Sequence, residues 1–251
     1  VCGSTQGIGK ATAIELASLG ASVTLVARNE DSLKQSIKEL DSTKGQQHNY
    51  LVADFAKPDE LKSTVEKFVA SNGPINILVN NTGGPAGGPI INAKLEEFTQ
   101  TFSNHLLCNH IMVQAVVDGM KTSGYGRIIN IISTSVKQPI KGLGVSNTIR
   151  AAVGNWSKTL SLELGQFGIT VNNVLPGATK TQRLTSIIEN KSQKTNQSKE
   201  VLEHEMLSEI PLNRFADASE VAAAVAFLAS PAAAYISGIN IPVDGGRTGN
   251  L

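Results

Sequence analysis

The sequence predicts a doubly wound parallel α/β sheet in a single domain, with helices on both faces. Short apolar, β-branched runs alternate along the chain with segments of helical periodicity. The chain has 251 residues, which suits one large domain, and no internal repeat interrupts the alternation. Right-handed crossovers between parallel strands place a ligand cleft at the carboxyl ends of the strands.

The individual elements follow from local patterns. The predicted strands are 21–27, 50–54, 75–81, 127–133, 169–177 and 239–246. The predicted helices are 8–19, 30–40, 58–70, 94–121, 144–165 and 217–229. Only Val1 and Cys2 precede a glycine-rich loop, although a strand usually needs about five residues, so we expect a further segment before Val1. Polar residues fill 182–210, which predicts either a lid over the cleft or a solvated helix.

Composition excludes several classes of protein. The 22 Lys and Arg against 21 Asp and Glu argue against a nucleic-acid binder, which needs a basic excess. Cys2 and Cys108 cannot form a disulfide framework, which favours a reducing, cytoplasmic compartment. Apolar runs are too short for a membrane span, and no metal site is predicted. Only three tyrosines are present: Tyr50, Tyr125 and Tyr235.

A glycine-rich loop lies between the end of the first strand and the start of the first helix. Glycines allow a close approach of the backbone to a pyrophosphate, and free N–H groups of the first helical turn bind the anion. The predicted contacts are Gly3, Ser4, Thr5, Gln6, Gly7, Ile8 and Gly9. The alternative is a tight strand-to-helix turn without a ligand.

Four further motifs occur in order along the chain. They are Asn-Asn-Thr-Gly at 80–83, Gly-Arg-Ile-Ile-Asn at 126–130 leading to Ser133, Val171-Asn172 with Pro176-Gly177, and Val-Asp-Gly-Gly at 243–246. With the glycine loop, they make the chain resemble a short-chain dehydrogenase/reductase, similar to the 3-oxoacyl-carrier-protein reductases. The resemblance implies a Rossmann fold and hydride transfer between a nicotinamide cofactor and a small carbonyl or alcohol substrate. It also implies a homodimer or homotetramer formed through the long helices.

The residues after the second strand bear on the choice of cofactor. Ala27 stands where NAD-preferring members carry Asp, and Arg28 can pair with a 2′-phosphate, so we expect NADP, with NAD as the alternative. Arg28 is otherwise a solvated charge at the start of a helix. The resemblance further implies a set of contacts to adenine, ribose and nicotinamide: Asp54, Phe55, Asn80, Gly83, Pro176, Gly177, and Thr179 or Thr181. Asp54 is alternatively a solvated strand end, Asn80 a turn cap and either Thr a helix N-cap.

The catalytic pattern of the family departs from expectation at its central element. The family supplies a Ser, an Asn and a Tyr-x3-Lys pair, and Ser133 and Asn104 match the first two. Ser146 and Arg150 stand where the Tyr and Lys belong. A serine hydroxyl is a far weaker acid than a tyrosine, and Arg keeps its proton in proteins. The three tyrosines are predicted at the opposite, amino ends of the strands.

Another group must therefore deliver the proton if the chain is an enzyme. We expect Lys137, in the loop after the fifth strand, Ser146 or a bound water to do so; Lys137 is alternatively a solvated loop residue. Arg150 would hold the nicotinamide ribose. His105 and His110 are interpreted as packing or interface residues. The alternative function is a cofactor-binding regulator or structural subunit with little turnover.

Overall fold

The computed structural model describes residues 1–250. Its strands are β1 (Thr24–Ala27), β2 (Asn49–Val52), β3 (Ile77–Asn80), β4 (Gly126–Ile131), β5 (Ile169–Pro176) and β6 (Asn240–Val243). β2 pairs with β1, and β3, β4, β5 and β6 pair in that order, with all pairs parallel. The strand order requires crossovers between neighbours, as in a doubly wound sheet.

The first two residues join the two groups of strands. The Cys2 N–H donates to Val79 of β3 at 2.9 Å, and the Val26 N–H of β1 donates to the Val1 carbonyl at 2.9 Å. Cys2 also forms a parallel bridge with Val26. Val1 and Cys2 therefore lie in the sheet between β1 and β3, and the glycine-rich loop begins at its carboxyl edge.

Nine α-helices occur among residues 1–250. They are α1 (Gly7–Ser18), α2 (Glu30–Ile37), α3 (Pro58–Asn72), α4 (Leu95–Phe102), α5 (Cys108–Ser123), α6 (Gly144–Leu164), α7 (Gln182–Thr195), α8 (Lys199–Ser208) and α9 (Ala218–Ala229). The predicted helix 94–121 is one rod with a π-helical segment, Ser103–Leu107, between α4 and α5. None of the helices between residues 1 and 250 has the length and apolarity needed to cross a bilayer.

Neighbouring residues of each strand face opposite sides of the sheet. In β4, Ile129 packs with α1, α2 and α9, whereas Ile128 packs with α3, α5 and α6. In β1, Leu25 lies in the same core as Ile129, and Val26 lies in the same core as Ile128. The alternation follows from the period of two in a strand, and both faces are apolar because both carry helices. The predicted doubly wound fold is confirmed.

A row of asparagines crosses the buried sheet. Each amide nitrogen donates to the amide oxygen on the next strand: Asn80 to Asn130 at 2.9 Å, Asn130 to Asn173 at 2.9 Å, and Asn173 to Asn240 at 2.8 Å. The four residues face one another because they are paired in register. This asparagine row pairs buried amide groups that would otherwise lack partners, whereas the Asn80 oxygen has no partner among the described residues.

The polar segment 182–210 folds as two helices. Leu184 and Ile188 of α7 pack with Leu202 of α8 in a small separate core. Thr181 and Ser198 cap the two helices by accepting from the backbone of Leu184 and Val201. The lid and the solvated helix were both predicted from a segment with few apolar residues, but its buried apolar side chains recur at helical spacing. Whether this pair acts as a lid stays a prediction.

Candidate active site

The glycine-rich loop packs too closely to accept side chains at two of its positions. A Cβ on Gly9 would lie 2.1 Å from the Gly3 carbonyl oxygen. Gly3 has φ +58°, a left-handed conformation that glycine adopts without strain. No side chain caps the N-terminus of α1, so its first N–H groups point out of the loop. The loop presents backbone donors to an anion at the carboxyl edge of the sheet.

Two predicted cofactor contacts, Ser4 and Asn80, form hydrogen bonds within the fold instead. Ser4 is fully buried, and its hydroxyl accepts from the Val26 N–H at 3.0 Å. The Asn80 side chain is 1% exposed and donates into the asparagine row. Asn81 instead reaches the loop and donates to the Cys2 and Gly3 carbonyls, both at 3.3 Å. Ser4 and Asn80 are thus directed into the sheet rather than the cleft.

A cavity of about 210 Å³ opens beside the ends of β1 and β2. Arg28, Asp54 and Lys57 line it together. Arg28 is exposed and forms no ion pair among residues 1–250. The Asp54 carboxylate accepts from the Ala56 N–H at 3.0 Å. The next residue is Phe55, whose carbonyl accepts a hydrogen bond from the Cys108 thiol.

The loop after β5 closes the cleft from the other side. A Cβ on Gly177 would lie 2.7 Å from the Asp244 Cα, so Gly177 allows β6 to approach. The Thr179 hydroxyl donates to the Gly177 carbonyl at 3.1 Å. Thr181 caps α7, as the alternative interpretation proposed, and its methyl group lies beside Gly7. The start of α7 therefore lies against the glycine-rich loop.

Ser133 and Ser146 approach the cleft from β4 and α6. The Ser133 oxygen accepts from the Ser135 N–H at 3.1 Å, which leaves its own hydroxyl hydrogen to be donated. Ser146 is half-buried, one turn before Arg150 on α6. Its hydroxyl has no hydrogen-bond partner within residues 1–250, so it is open to a substrate or water.

Arg150 is a buried cation without a counter-charge. It is 8% exposed, and its Nη1 donates to the Ile131 carbonyl at 2.8 Å. Its Nε has no partner among the described residues. Burial, and next the charge of Arg183, lower the pKa of Arg150 to about 10. The guanidinium remains charged at neutral pH, with donors free to hold hydroxyls or an anion.

The π-helical segment turns two adjacent side chains in different directions. The Asn104 oxygen accepts from Gln100 at 2.8 Å, one turn back on the helix. His105 is 2% exposed, and its Nδ1 lies 2.6 Å from the Thr82 hydroxyl oxygen. Burial and, next, the charge of Arg150 lower the pKa of His105 to about 3. The predicted role of Asn104 stays a prediction, whereas His105 is a buried residue whose ring is bonded to Thr82.

The remaining candidates differ in their surroundings. Lys137 is half-buried, and its carbonyl accepts from Asn250 at 2.7 Å. Tyr50 donates to Glu30 at 3.0 Å and Tyr125 donates to the Ala229 carbonyl at 2.9 Å, while Tyr235 is fully exposed. None of the three tyrosine hydroxyls bonds to Ser133, Ser146 or Arg150. They lie where the sequence placed them, away from the cleft.

A family model described as "Enoyl-(Acyl carrier protein) reductase" matches residues 3–248. The chain belongs to the short-chain dehydrogenase/reductase family. It is 34% identical over 248 residues to the NADPH-dependent reductase BacG of Bacillus subtilis, covering 98% of this chain and 95% of that protein. It is 33% identical to a 3-oxoacyl-[acyl-carrier-protein] reductase FabG of Staphylococcus epidermidis, with 98% and 96% covered.

Solved reductases share the whole fold. The structure of YwfH, an NADPH-dependent reductase of bacilysin biosynthesis, has a TM-score of 0.93 and 32% identity, with 100% of this chain and 98% of that chain covered. The L-sorbose reductase of Gluconobacter frateurii, complexed with NADPH and L-sorbose, has a TM-score of 0.92 and 30% identity, with 100% and 96% covered. The predicted family and Rossmann fold are confirmed.

As a short-chain dehydrogenase/reductase, the chain fits a dinucleotide in its cleft. The glycine loop and the uncapped start of α1 suit the pyrophosphate. The buried Arg150 has an Nε without a partner among the described residues. The described residues contain no group of three or more metal-binding side chains.

Two residues of interest are absent from the sequence predictions: Lys57 and Arg183. Asn81 lies within the recognised motif 80–83 but was given no role, and His105, interpreted as a packing or interface residue, is buried. Lys57 lies three residues after Asp54, so its closeness to a predicted contact was an available signal. Arg183 lies in a polar segment in which it had no distinguishing pattern.

Proposed function

We propose that this oxidoreductase uses NADPH to reduce a small carbonyl substrate, with a proton donor other than tyrosine. NADP is the cofactor, in keeping with the NADPH-dependent relatives and NADPH-bound neighbours. When bound, NADPH supplies the hydride. The observation that carries the proposal is the buried Arg150, whose Nε has no partner among the described residues. It lies one turn after Ser146 on α6, and its Nη1 donates to the Ile131 carbonyl, two residues before Ser133.

The side chains divide the work by their chemistry. Ser133 donates its hydroxyl hydrogen to the substrate carbonyl oxygen and so polarises it. Arg150 holds hydroxyls of the cofactor ribose and keeps a positive charge near the developing alkoxide. Ser146 orients a water molecule that delivers the proton, and Lys137 is the second candidate for that delivery. Asn104 retains its predicted role of orienting the carbonyl as part of the proposal.

The other contacts belong to the cofactor. Arg28, with Lys57 beside it in the same cavity, pairs with the 2′-phosphate. Asp54 and Phe55 lie at the adenine, while Gly83, Pro176, Gly177 and Thr181 line the ribose and nicotinamide. We propose Asn81 rather than Asn80 as the contact to the adenosine ribose, because the Asn80 amide donates to Asn130 while Asn81 lies at the glycine-rich loop.

Restoring the family pair tests whether proton delivery limits turnover. NADPH oxidation is followed with β-keto esters, diketones, quinones and sugars in the wild type and in the Ser146→Tyr/Arg150→Lys variant. A positioned general acid accelerates proton transfer by about 10²–10⁴-fold, so we expect a large rise in kcat. Lys137→Ala and Ser146→Ala identify the donor, with Lys141→Ala as the control in the same loop.

The alternative is a cofactor-binding protein with little or no turnover, and the missing tyrosine favours it. NADPH titration by fluorescence separates the two. Tight NADPH binding without oxidation of any substrate, in the wild type and in the restored variant, would overturn the enzymatic proposal. An unchanged rate in Lys137→Ala would remove that residue as donor and leave Ser146 and its water.

We further propose that the protein forms a homodimer or homotetramer. Phe102, Leu107 and Leu162, on the long helices of one face, are exposed apolar residues, the last at 74%. Apolar patches of this kind are typical of subunit contacts. Size-exclusion chromatography with light scattering should give a multiple of the 26.4 kDa chain, and a monomer mass would contradict the proposal.

A further inference from the structure

Two arginine side chains converge over one glycine of the loop after β3. A Cβ on Gly84 would lie 3.4 Å from Arg183 Nη2 and 3.7 Å from Arg150 Nη2. Arg150 belongs to α6 and Arg183 to the first turn of α7. Arg183 also donates to the Pro85 carbonyl. The two guanidinium groups therefore both lie beside Gly84.

No carboxylate among residues 1–250 forms an ion pair with either arginine. Burial and the charge of Arg183 lower the pKa of Arg150, and burial lowers the pKa of Arg183, so both sites disfavour the positive charge they carry. Arg150 Nε is buried without a partner. Two like charges with free donors are stabilised when an anion lies between them.

The surrounding groups leave this positive charge uncompensated. His105, bonded to Thr82, is neutral at pH 7 because burial and the charges of the two arginines lower its pKa to about 3. The loop 83–89 contains only glycine, proline and alanine, so it carries no charged side chain. The space beside Gly84 thus suits a small anion.

We propose that Arg183 and Arg150 bind the carboxylate of the substrate, so that the protein reduces an oxo acid. This inference rests on the proposed function and names its substrate class. Arg150 lies one turn after Ser146, and its Nη1 is bonded to Ile131, two residues before Ser133. A carboxylate held there lies close to the carbonyl that Ser133 polarises, as a short oxo acid requires.

A phosphate of the cofactor is the other source of an anion, and the geometry favours the substrate. The start of α1 and Arg28 already provide donors for the phosphates. Arg183 instead faces the loop 83–89, which pairs through Gly88 with Leu143, directly before α6. That loop covers the end of α6 that carries Ser146, where the substrate carbonyl is expected.

Binding in the presence of NADP⁺ tests the site without turnover. Phenylpyruvate and its methyl ester are titrated by calorimetry against the wild type, Arg183→Gln and Arg183→Lys. Hydrogen bonds to charged groups predict about 10–100-fold tighter binding of the acid, and we expect Arg183→Gln to abolish this difference while Arg183→Lys keeps part of it. Lys180→Gln is the matched control, since it removes a neighbouring exposed charge that pairs with Asp217.

The outcomes separate this inference from the proposed function. Equal binding of acid and ester by the wild type would overturn the carboxylate site, even if esters are reduced. A loss of NADPH affinity in Arg183→Gln with an unchanged preference for the acid would assign the anion to the cofactor and also overturn it. Preferential binding of the acid without any NADPH oxidation would uphold the site and refute the enzymatic function.

Discussion

Arg150 shows how one residue changes what a site can do. A lysine in its place can give up and regain a proton, whereas the guanidinium, with a pKa lowered only to about 10, stays charged at neutral pH. It can bind ribose hydroxyls and a carboxylate through its donors. In the proposed reaction the proton must then come from a hydroxyl, an amine or water, which is why we propose Ser146 and Lys137 as the candidates.

The choice of cofactor is tested at Arg28. Arg28→Ala should weaken NADPH binding about tenfold and leave NADH binding unchanged, because only NADPH carries the 2′-phosphate. The effect is modest since Arg28 is exposed and solvent screens its charge. Fluorescence titration with both cofactors gives the measurement, and Lys34→Ala is the control on the same side of α2. Equal losses for NADH and NADPH would show that Arg28 does not select the cofactor.

His105 should make stability depend on pH. Its pKa is about 3 in the folded protein against 6.5 unfolded, so between these values the unfolded chain binds the extra proton. Stability is therefore complete above pH 6.5 and falls as the pH drops, by up to about 1.4 kcal/mol per unit from this group. Urea unfolding of the wild type and His105→Gln at pH 7 and pH 5 measures it. The exposed His204→Gln should keep the full pH dependence, and a wild-type dependence surviving in His105→Gln would contradict the assignment.

At the scale of elements, the loop after β3 is fitted tightly to the start of α6. The Gly88 N–H donates to the Gly142 carbonyl at 2.7 Å. A Cβ on Gly144 would lie 2.4 Å from the Ile90 Cβ and 2.7 Å from its Cα. Backbone and Cβ atoms cannot move aside as a flexible side chain can. The glycine thus holds the loop over the region of Ser146.

Gly144→Ala tests this contact. Alanine improves helix propensity by up to about 1 kcal/mol, but overpacking typically costs about 1–3 kcal/mol, so we expect net destabilisation. Urea unfolding gives the free energy, and limited proteolysis should show faster cleavage within 83–92. Gly165→Ala at the other end of α6 is the matched control, because its φ of −55° is helical and no atom lies within 4 Å of its Cβ. It should be stabilising; a stabilised Gly144→Ala would refute the close fit.

At the scale of the whole molecule, the asparagine row ties four strands together beneath the cleft. Asn130 is its centre, donating also to Ser157 at 3.3 Å. Every member is buried or half-buried, so each bond replaces a lost bond to water. The row fixes the register of the strands whose carboxyl ends carry Ser133 and Gly177.

Removing the centre of the row should destabilise the entire fold. Asn130→Ala leaves the Asn80 amide and the Asn173 oxygen buried without their partners, which we expect to cost about 2–4 kcal/mol. Urea unfolding measures the loss, with the exposed Asn155→Ala as a near-neutral control. A loss under about 0.5 kcal/mol, as for an ordinary surface substitution, would show that the row contributes little.

Local patterns decided the order and type of the elements. Period-two and helical periodicities, the glycine loop and the family motifs depend on neighbouring residues, and they located α1, β4 and α6 correctly. The roles of Ser146 and Arg150 stay predictions. The sequence also indicated that no tyrosine is available at the cleft. These features could be predicted because each is encoded within a few residues.

Tertiary structure alone decided which distant residues meet. Arg183 and Arg150 both lie beside Gly84 although 33 positions separate them in the chain. Asn80 points into the sheet because strand register pairs it with Asn130. The amino-acid sequence by itself therefore determined the family and the fold, whereas only packing brought together the uncompensated charges from which the substrate is inferred.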